Sequence, residues 1–455
     1  MIGANRIRRV LEKLVTVNGQ HGLPYRYASL AGSDLERDKP RPRVSRRSLG
    51  IMLVTAILLG ALLVTAIHIF LGTIVARTSC DTVQDGYQCQ PQISHYWGQY
   101  SPYFAAPSDI SAEIPYGCSI TFAQVLSRHG ARDPTRSKTM LYKDTISKMQ
   151  NNVKEFTGLY RFLADYRYAL GADQLTAYGQ QEMVNSGMKF YKRYETLARH
   201  QLPFVRASSQ TRVVASAQNW TQGYHRSKAA DQHATKDDAY PYEIVAISED
   251  EGSNNTLSHG LCFRFENGPG SNTAAIAQAT WANIFVPPIQ ARLNTDLPGA
   301  NLTQADTIHV MDMCPFHTVA SRTGAISPFC DLFTEQEWHE YDHFESLNKY
   351  YGYGNGNPLG PTQGVGFVNE LIARLTGQPV DDHTSTNRSM DASAATFPLR
   401  RALYADFSHD NDITAVLSAI GLFDDTAPLS NTSEERGADA VCGPQGGGDG
   451  PGAGE

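Results

Sequence analysis

Two arginines flank a histidine in the pentapeptide Arg128-His129-Gly130-Ala131-Arg132, and these residue types suit chemistry at a phosphate group. A phosphate monoester carries up to two negative charges, which must be neutralised before a nucleophile can approach phosphorus. Arginine does this with a planar set of donors that fits phosphate oxygens. A neutral imidazole nitrogen of His129 can then attack phosphorus and form a phosphohistidine, which divides a difficult hydrolysis into two easier steps. Positive neighbours also disfavour protonation of His129, so a nucleophilic fraction remains below the ordinary histidine pKa of about 6.5.

The elements around this motif have a counterpart near the end of the chain. Residues 120–126 alternate β-branched, aromatic and small side chains as a short buried strand would, and Arg128 follows. Residues 403–407 have the same strand character, Ser408-His409-Asp410-Asn411 follows directly, and 413–422 is helical in pattern. Because open α/β sheets bind ligands at the carboxyl ends of their strands, we expect both motifs at one edge of a sheet.

Helical patterns dominate the rest of the chain. Residues 203–207 are a further strand candidate, and Ser208 to Thr211 supply cap residues for a helix that begins near Arg212. Periodic apolar residues predict helices over 176–198, 276–293, 335–350 and 366–376. We therefore predict an α/β fold, in which helices flank a central mixed sheet and a mostly helical insertion follows. The domain covers 77–432, with the α/β part at about 116–138, 200–228 and 398–425 and the helical part at about 139–199 and 229–397.

The residues around both motifs resemble the fungal phytases of the histidine acid phosphatase family. Gln124 to Arg132, with Pro134 and Thr135, is similar to the first signature of that family almost letter for letter, and Ser408 to Asn411 is similar to the second. The similarity extends from about 79 to about 430 and includes the runs 79–83, 356–364 and 404–407. It implies a phosphoglycerate-mutase-like fold and hydrolysis of phytate (inositol hexakisphosphate) or related phosphate monoesters, with no cofactor and no metal.

The resemblance also implies the roles of individual residues. His129 would be the nucleophile, and Asp410 would be the general acid that protonates the departing alkoxide, which predicts an acidic pH optimum. Four further residues would bind the phosphate, namely Arg128, Arg132, Arg212 and His409. Three others would make secondary contacts with the substrate, namely Lys138, Lys349 and Asn411.

Two departures from the family keep other functions open. Leu159 and Ala164 stand where close relatives have lysines, which weakens the case for phytate but not for phosphomonoesters in general. After about Ser430 the family continues into further strands and cysteines, whereas this chain continues into a Gly-rich tail at 433–455 that we expect to be disordered. The alternatives are a broad-specificity acid phosphatase, a mutase-like enzyme, or an inactive membrane-tethered scaffold.

A membrane anchor is predicted near the start of the chain. Residues 49–76 contain His68 as their only ionisable side chain and exceed the approximately 20 apolar residues that cross a bilayer. A cleaved signal peptide is the competing interpretation, but its apolar stretch is normally about 7–15 residues long. Residues 1–48 hold eleven Lys and Arg against four Asp and Glu, a net charge of +7. Such a basic tail stays cytoplasmic, so we expect a single-pass protein with its catalytic domain in the lumen or outside the cell.

The cysteines and glycosylation motifs fit that compartment. All seven cysteines follow the span, and their spacing favours disulfides between Cys80 and Cys89 and between Cys314 and Cys330. The partners of Cys118, Cys262 and Cys442 stay open; a zinc site is disfavoured because no C-x₂-C pair occurs. Acceptor motifs for N-glycosylation occur only after the span, at Asn219, Asn254, Asn301, Asn387 and Asn431.

The remaining features indicate no other partner. The basic tail is interpreted as a topology signal that contacts anionic lipid, because no nucleic-acid module follows it. The histidines outside the two motifs have no spacing that compels a metal site; they include His309, His317, His339 and His343. We expect a monomer whose partners are a phosphorylated small molecule and the membrane.

Overall fold

A parallel sheet of four strands lies at the centre of the α/β part of the chain. The computed structural model describes residues 91–104, 111, 113–236, 240–321, 326–422 and 427–434. Its strands are β1 (Ala123–Arg128), β2 (Phe204–Ser208), β3 (Val245–Ile247) and β4 (Leu403–Ser408). They are ordered β1-β4-β2-β3, and each neighbouring pair runs parallel. The prediction of a mixed sheet is therefore wrong for the described strands, because helices connect every strand to the next and return the chain to the same end of the sheet.

Helices cover the sheet and form a second, mainly helical region. In chain order they are α1 (Pro91–Ser94), α2 (Arg136–Asn152), α3 (Ala177–Arg193), α4 (Glu195–Ala198), α5 (Thr211–Ala230), α6 (Phe263–Asn267), α7 (Thr273–Asp296), α8 (Gln304–Ala320), α9 (Glu335–Gly352), α10 (Gly360–Thr376), α11 (Arg388–Asp391) and α12 (Asp410–Ala419). Short 3₁₀ turns occur at Gly98–Tyr100, Gly158–Ala164 and Cys330–Leu332. The α/β class is confirmed.

Threonine side chains fix where several of these helices begin. Thr135 and Thr176 accept hydrogen bonds from backbone N–H groups in the first turns of α2 and α3. Thr303 and Thr334 form reciprocal capping boxes at α8 and α9. Each such cap satisfies a donor that the first turn leaves without a partner, which stabilises a helix by about 0.5–2 kcal/mol.

The two larger of three apolar clusters among the described residues lie beneath these helices. One fills the space between the sheet and α3 and α5, and includes Phe190, Trp220 and Phe407. The other joins α2, α7, α8 and α9, and contains the predicted disulfide between Cys314 and Cys330, which is confirmed. Within the described residues Cys118 and Cys262 form no disulfide, and Cys80, Cys89 and Cys442 lie outside those residues.

A buried network of charges ties α10 to the sheet. The Nε atom of Arg206 donates to Asp406 at 2.7 Å, and its Nη2 atom donates to Glu370 at 2.6 Å. Arg374 donates to the other oxygen of Asp406 at 2.5 Å. All four side chains are buried, so removal of one partner would leave an uncompensated charge inside the protein. The network fixes β4 just before the motif at His409.

Several predicted segments lie outside the described residues. These are the basic tail at 1–48, the apolar segment at 49–76 and residues 435–455. Within the part that the structure covers, no helix combines the length and the apolar character that a bilayer crossing requires.

Candidate active site

The two motifs meet because their strands are neighbours. Arg128, the last residue of β1, is paired with Ser408, the last residue of β4. The backbone N–H of His129 donates to the carbonyl of Ser408 at 3.0 Å, and the rings of His129 and His409 lie 5.5 Å apart between centroids. The parallel register therefore places both predicted histidines at the carboxyl edge of the sheet.

His129 is held in the tautomer that a nucleophile needs. Its side chain is 3% exposed, and its Nδ1 atom lies 2.9 Å from the carbonyl oxygen of Gly130. A carbonyl can only accept a hydrogen bond, so Nδ1 carries the proton and Nε2 keeps its lone pair. Burial, followed by the charges of Arg128, Arg132 and Arg212, lowers the pKa of His129 well below its usual value. The ring is therefore neutral in weak acid.

Gly130 allows the turn to pack against two helices. A β-carbon at this position would overlap the carbonyl of Gly179 in the first turn of α3. The Gly130 N–H donates to Ser216 of α5 at 3.0 Å, and the next N–H, of Ala131, donates to Glu182 of α3 at 2.9 Å. The close packing orients the backbone that carries His129.

Two predicted phosphate ligands line one cavity and carry donors without a hydrogen-bond partner among the described residues. Arg132 and Arg212 line this cavity, which has a volume of about 650 Å³. The Nε atom of each guanidinium is buried and has no hydrogen-bond partner among the described residues. Arg212 is the second residue of α5, so free backbone N–H groups and the positive end of the helix dipole lie beside it. This arrangement suits an anion.

Asp410 begins α12 and is surrounded by cations. It accepts a hydrogen bond from Nε of Arg128 at 3.3 Å and forms an ion pair with Lys349. Burial raises the pKa of Asp410, but the charges of Lys349 and Arg128 outweigh it and hold the pKa well below its usual range. The carboxyl group is therefore ionised without substrate.

The cavity brings most of the predicted residues together. Its lining includes His129, Arg132, Lys138, Arg212, Lys349, His409, Asp410 and Asn411. Arg128 donates a hydrogen bond to Asp410, which is one of these lining residues. Both lysines have acidic partners: Lys138 lies 3.2 Å from Asp312, and Lys349 contacts Asp410 and, at 2.5 Å, Asn411. The roles of these residues stay predictions.

Glu249 is a cavity residue that the sequence did not reveal. Its Oε1 atom lies 2.9 Å from Nε2 of His409 and accepts a hydrogen bond from Ser208 at 2.5 Å. Glu249 comes two residues after β3, so it reaches the same sheet edge as His129 and His409. A strand of three residues leaves little periodicity. The signal that could have found Glu249 is the apolar run Val245 to Ile247, followed by Ser248 and then this acidic residue.

The glycosylation candidates lie away from the cavity, whereas His309, one of the histidines outside the two motifs, lines it. Asn301 is exposed, whereas the side chains of Asn219 and Asn254 donate to backbone carbonyls and Asn387 caps α11. Asn431 is half-buried, and none of the five lines the cavity. His309, His317 and His343 contact Thr145, Ser327 and the carbonyl of Ser430, respectively, and His339 packs on Tyr96. Across the described ranges, no three His, Cys, Asp or Glu residues are grouped to hold a metal ion.

Comparisons with known proteins identify the family of this chain. The family model described as "Histidine phosphatase superfamily (branch 2)" matches residues 119–444. Phytase A of Aspergillus oryzae is 52% identical over 361 residues, which cover 78% of this chain and 77% of that protein. Phytase A of Aspergillus awamori is 50% identical over 389 residues, which cover 84% and 83%. The crystal structure of the phytase from D. castellii is similar with a TM-score of 0.60 at 23% identity, covers 75% of this chain and 71% of its own, and supports the fold alone.

Proposed function

The chain belongs to branch 2 of the histidine phosphatase superfamily, and on that premise we propose that it is an acid phosphatase that hydrolyses phytate or related phosphate monoesters. One observation carries the proposal. His129 and Asp410 line a single cavity with two arginines whose buried Nε atoms have no partner among the described residues.

The first chemical step transfers the phosphoryl group to His129. Arg132, Arg212 and the first turn of α5 bind the phosphate oxygens and reduce its charge, and His409 adds a further donor. The Nε2 atom of His129 attacks phosphorus, so the new P–N bond forms as the P–O bond to the alcohol breaks. Asp410 gives its proton to the alcohol oxygen, a contribution worth about 10²–10⁴-fold.

Substrate binding itself prepares Asp410 for this step. Burial raises the pKa of Asp410, but the charges of Lys349 and Arg128 outweigh this effect and keep the pKa low. A dianionic phosphate nearby attracts the same cations and repels the carboxylate, and both effects raise the pKa of Asp410. In the second step water attacks phosphorus, the P–N bond breaks, and the Asp410 carboxylate accepts the proton from water.

Phytate is the proposed substrate because the Phytase A relatives share about half of their residues with this chain across most of its length. The acidic partners of Lys138 and Lys349 favour a broader phosphomonoesterase as the second candidate, since paired lysines attract remote phosphates less strongly.

We further propose that residues 49–76 anchor the protein with its catalytic domain in the lumen or outside the cell. The apolar segment and its basic flank support this orientation, as do the acceptor motifs and the disulfide between Cys314 and Cys330. Sensitivity of the domain to glycosidase, together with protection from protease in sealed microsomes, tests it. Cleavage of the domain from the cytoplasmic side would contradict it.

The activity is tested with the full-length protein in detergent near pH 5, with phytate and 4-nitrophenyl phosphate as substrates. We expect turnover of both substrates and an alkali-stable, acid-labile phosphoenzyme after rapid quenching. Both signals should disappear in His129→Ala. Equal turnover by His129→Ala would contradict the mechanism, and a folded but inactive wild type would favour the scaffold.

A further inference from the structure

Glu345 is a buried acid on the wall of the catalytic cavity, and the chemistry proposed above does not use it. Its side chain is 5% exposed and lines the cavity. It lies on α9, four residues before Lys349, so the two side chains share one face of the helix. One turn, about 6 Å of helix axis, therefore separates Glu345 from the lysine that contacts Asp410.

A loop closes over Glu345 and leaves it few donors. The Nε2 atom of Gln99 donates to its Oε2 atom at 2.5 Å. Gly98, in a left-handed conformation with φ of 54°, allows the close approach, because a β-carbon there would overlap the Cβ atom of Glu345. The loop that contains Gly98 and Gln99 therefore covers the side chain of Glu345 on the surface of α9.

A second acid, Asp312, lies near Glu345 and has several hydrogen-bond donors. Asp312 of α8 accepts hydrogen bonds from the hydroxyl groups of Tyr142 at 2.6 Å and Tyr341 at 2.5 Å. It also pairs with Lys138 at 3.2 Å. Asp312 thus has three hydrogen-bond donors around its carboxylate, and its negative charge disfavours a second charge on Glu345.

Titratable groups face Glu345 from each neighbouring element, and their combined effect favours its neutral form. They are Asp312 on α8, Lys138 and Tyr142 on α2, Lys349 and Tyr341 on α9, and Tyr100 on the 3₁₀ turn. Burial and then the charge of Asp312 raise the pKa of Glu345 to about 7, against weaker opposing effects of Gln99 and the two lysines. Glu345 is therefore neutral in acid and becomes charged as the solution approaches neutrality.

We propose that Glu345 determines how the binding of multiply phosphorylated substrates depends on pH. The proposal rests on the proposed function, because it concerns phosphates beyond the one that His129 attacks. A neutral Glu345 leaves the charges of Lys138 and Lys349 to attract those phosphates, whereas an ionised Glu345 repels them. A substrate with one phosphate is expected to respond less, since only its reacting phosphate enters the cavity.

The test measures the dissociation constant of phytate by calorimetry in a His129→Ala background, which binds without turnover. Between pH 5 and pH 8 we expect the affinity for phytate to fall about five- to tenfold more with Glu345 than with Glu345→Gln. This is the size expected when one added negative charge repels the substrate across a hydrated cavity. At pH 5 the two proteins should agree within about twofold, because a protonated glutamate and a glutamine are both neutral. Protonation of phytate itself affects both proteins equally.

Two further variants keep the result interpretable. Glu335→Gln removes the same charge from an exposed position ten residues earlier on α9, and it should retain the pH dependence of the parent. Glu345→Asp keeps a carboxyl group and should retain most of that dependence. An identical pH dependence in the parent and in Glu345→Gln would overturn the role of Glu345 alone. Absence of phytate binding at pH 5 in both proteins would overturn the proposed substrate as well.

Discussion

The Nε2 atom of His409 lies 2.9 Å from Oε1 of Glu249, so a predicted phosphate ligand is held by a carboxylate from a different strand end. Burial raises the pKa of Glu249, but hydrogen bonds from His409 and Ser208 outweigh it and lower the pKa. The contacts of Glu249 therefore favour its ionised form, and its hydrogen bond to His409 fixes the orientation of that ring.

Replacement of Glu249 by glutamine is expected to lower kcat/KM about 10- to 100-fold. The amide keeps the shape of the side chain but loses a charge-assisted hydrogen bond, which is worth about 1.5–3 kcal/mol. Steady-state kinetics with 4-nitrophenyl phosphate measure the loss, and Glu251→Gln, an exposed change in the same loop, is the control. Unchanged kinetics in Glu249→Gln would show that His409 does not need this partner.

Replacement of Asp410 by asparagine should affect substrates according to their leaving group. An alkyl phosphate releases a basic alkoxide, so its kcat should fall about 10²–10⁴-fold without the acid. 4-Nitrophenyl phosphate releases a weakly basic phenolate and should lose much less. The ratio of the two losses is the measurement, with Asp381→Asn at an exposed position as control. Equal losses for both substrates would remove the general-acid role.

Replacement of Lys349 by methionine should shift the pH profile. After burial, the charge of Lys349 is the largest influence on the pKa of Asp410 and lowers it. Its removal raises that pKa, and since the acid must be protonated, the alkaline limb of kcat/KM should move up by about one pH unit. Lys143→Met, at an exposed position on α2, controls for net charge. A shift toward lower pH would contradict the proposed ionisation.

Replacement of Gly130 by alanine should destabilise the fold. The new methyl group overlaps the carbonyl of Gly179, and such overpacking costs about 1–3 kcal/mol. Urea denaturation monitored by tryptophan fluorescence measures the free energy of unfolding. Gly270→Ala is a matched control, because its added methyl group would have no neighbour closer than 3.9 Å. Equal stability of the two variants would contradict the close packing.

The sequence revealed the catalytic motifs because their information is local. A strand, a turn and a helix follow one another around both His129 and His409, so periodicity alone predicts two equivalent strand ends. The parallel register of β1 with β4 turns that local pattern into one site.

Long-range pairing explains what the sequence could not predict. Asp312 lies 174 residues from Lys138, and Asp406 lies 200 residues from Arg206, so no spacing indicates either contact. Helix α8 falls within the predicted helical part but was not predicted as a separate helix, and it contains Pro315 within its length. The partners of the lysines, and with them the charge of the cavity, depend entirely on how the helices pack.

The pairing of β1 with β4 also sets when the protein can first act. The hydrogen bond between Arg128 and Asp410 spans 282 residues. At ribosomal speeds of about 5–20 residues per second, the nucleophile leaves the ribosome roughly 15–60 s before its proton donor. During translation the nascent chain therefore carries the nucleophile without its proton donor, and the site is complete only after β4 joins the sheet.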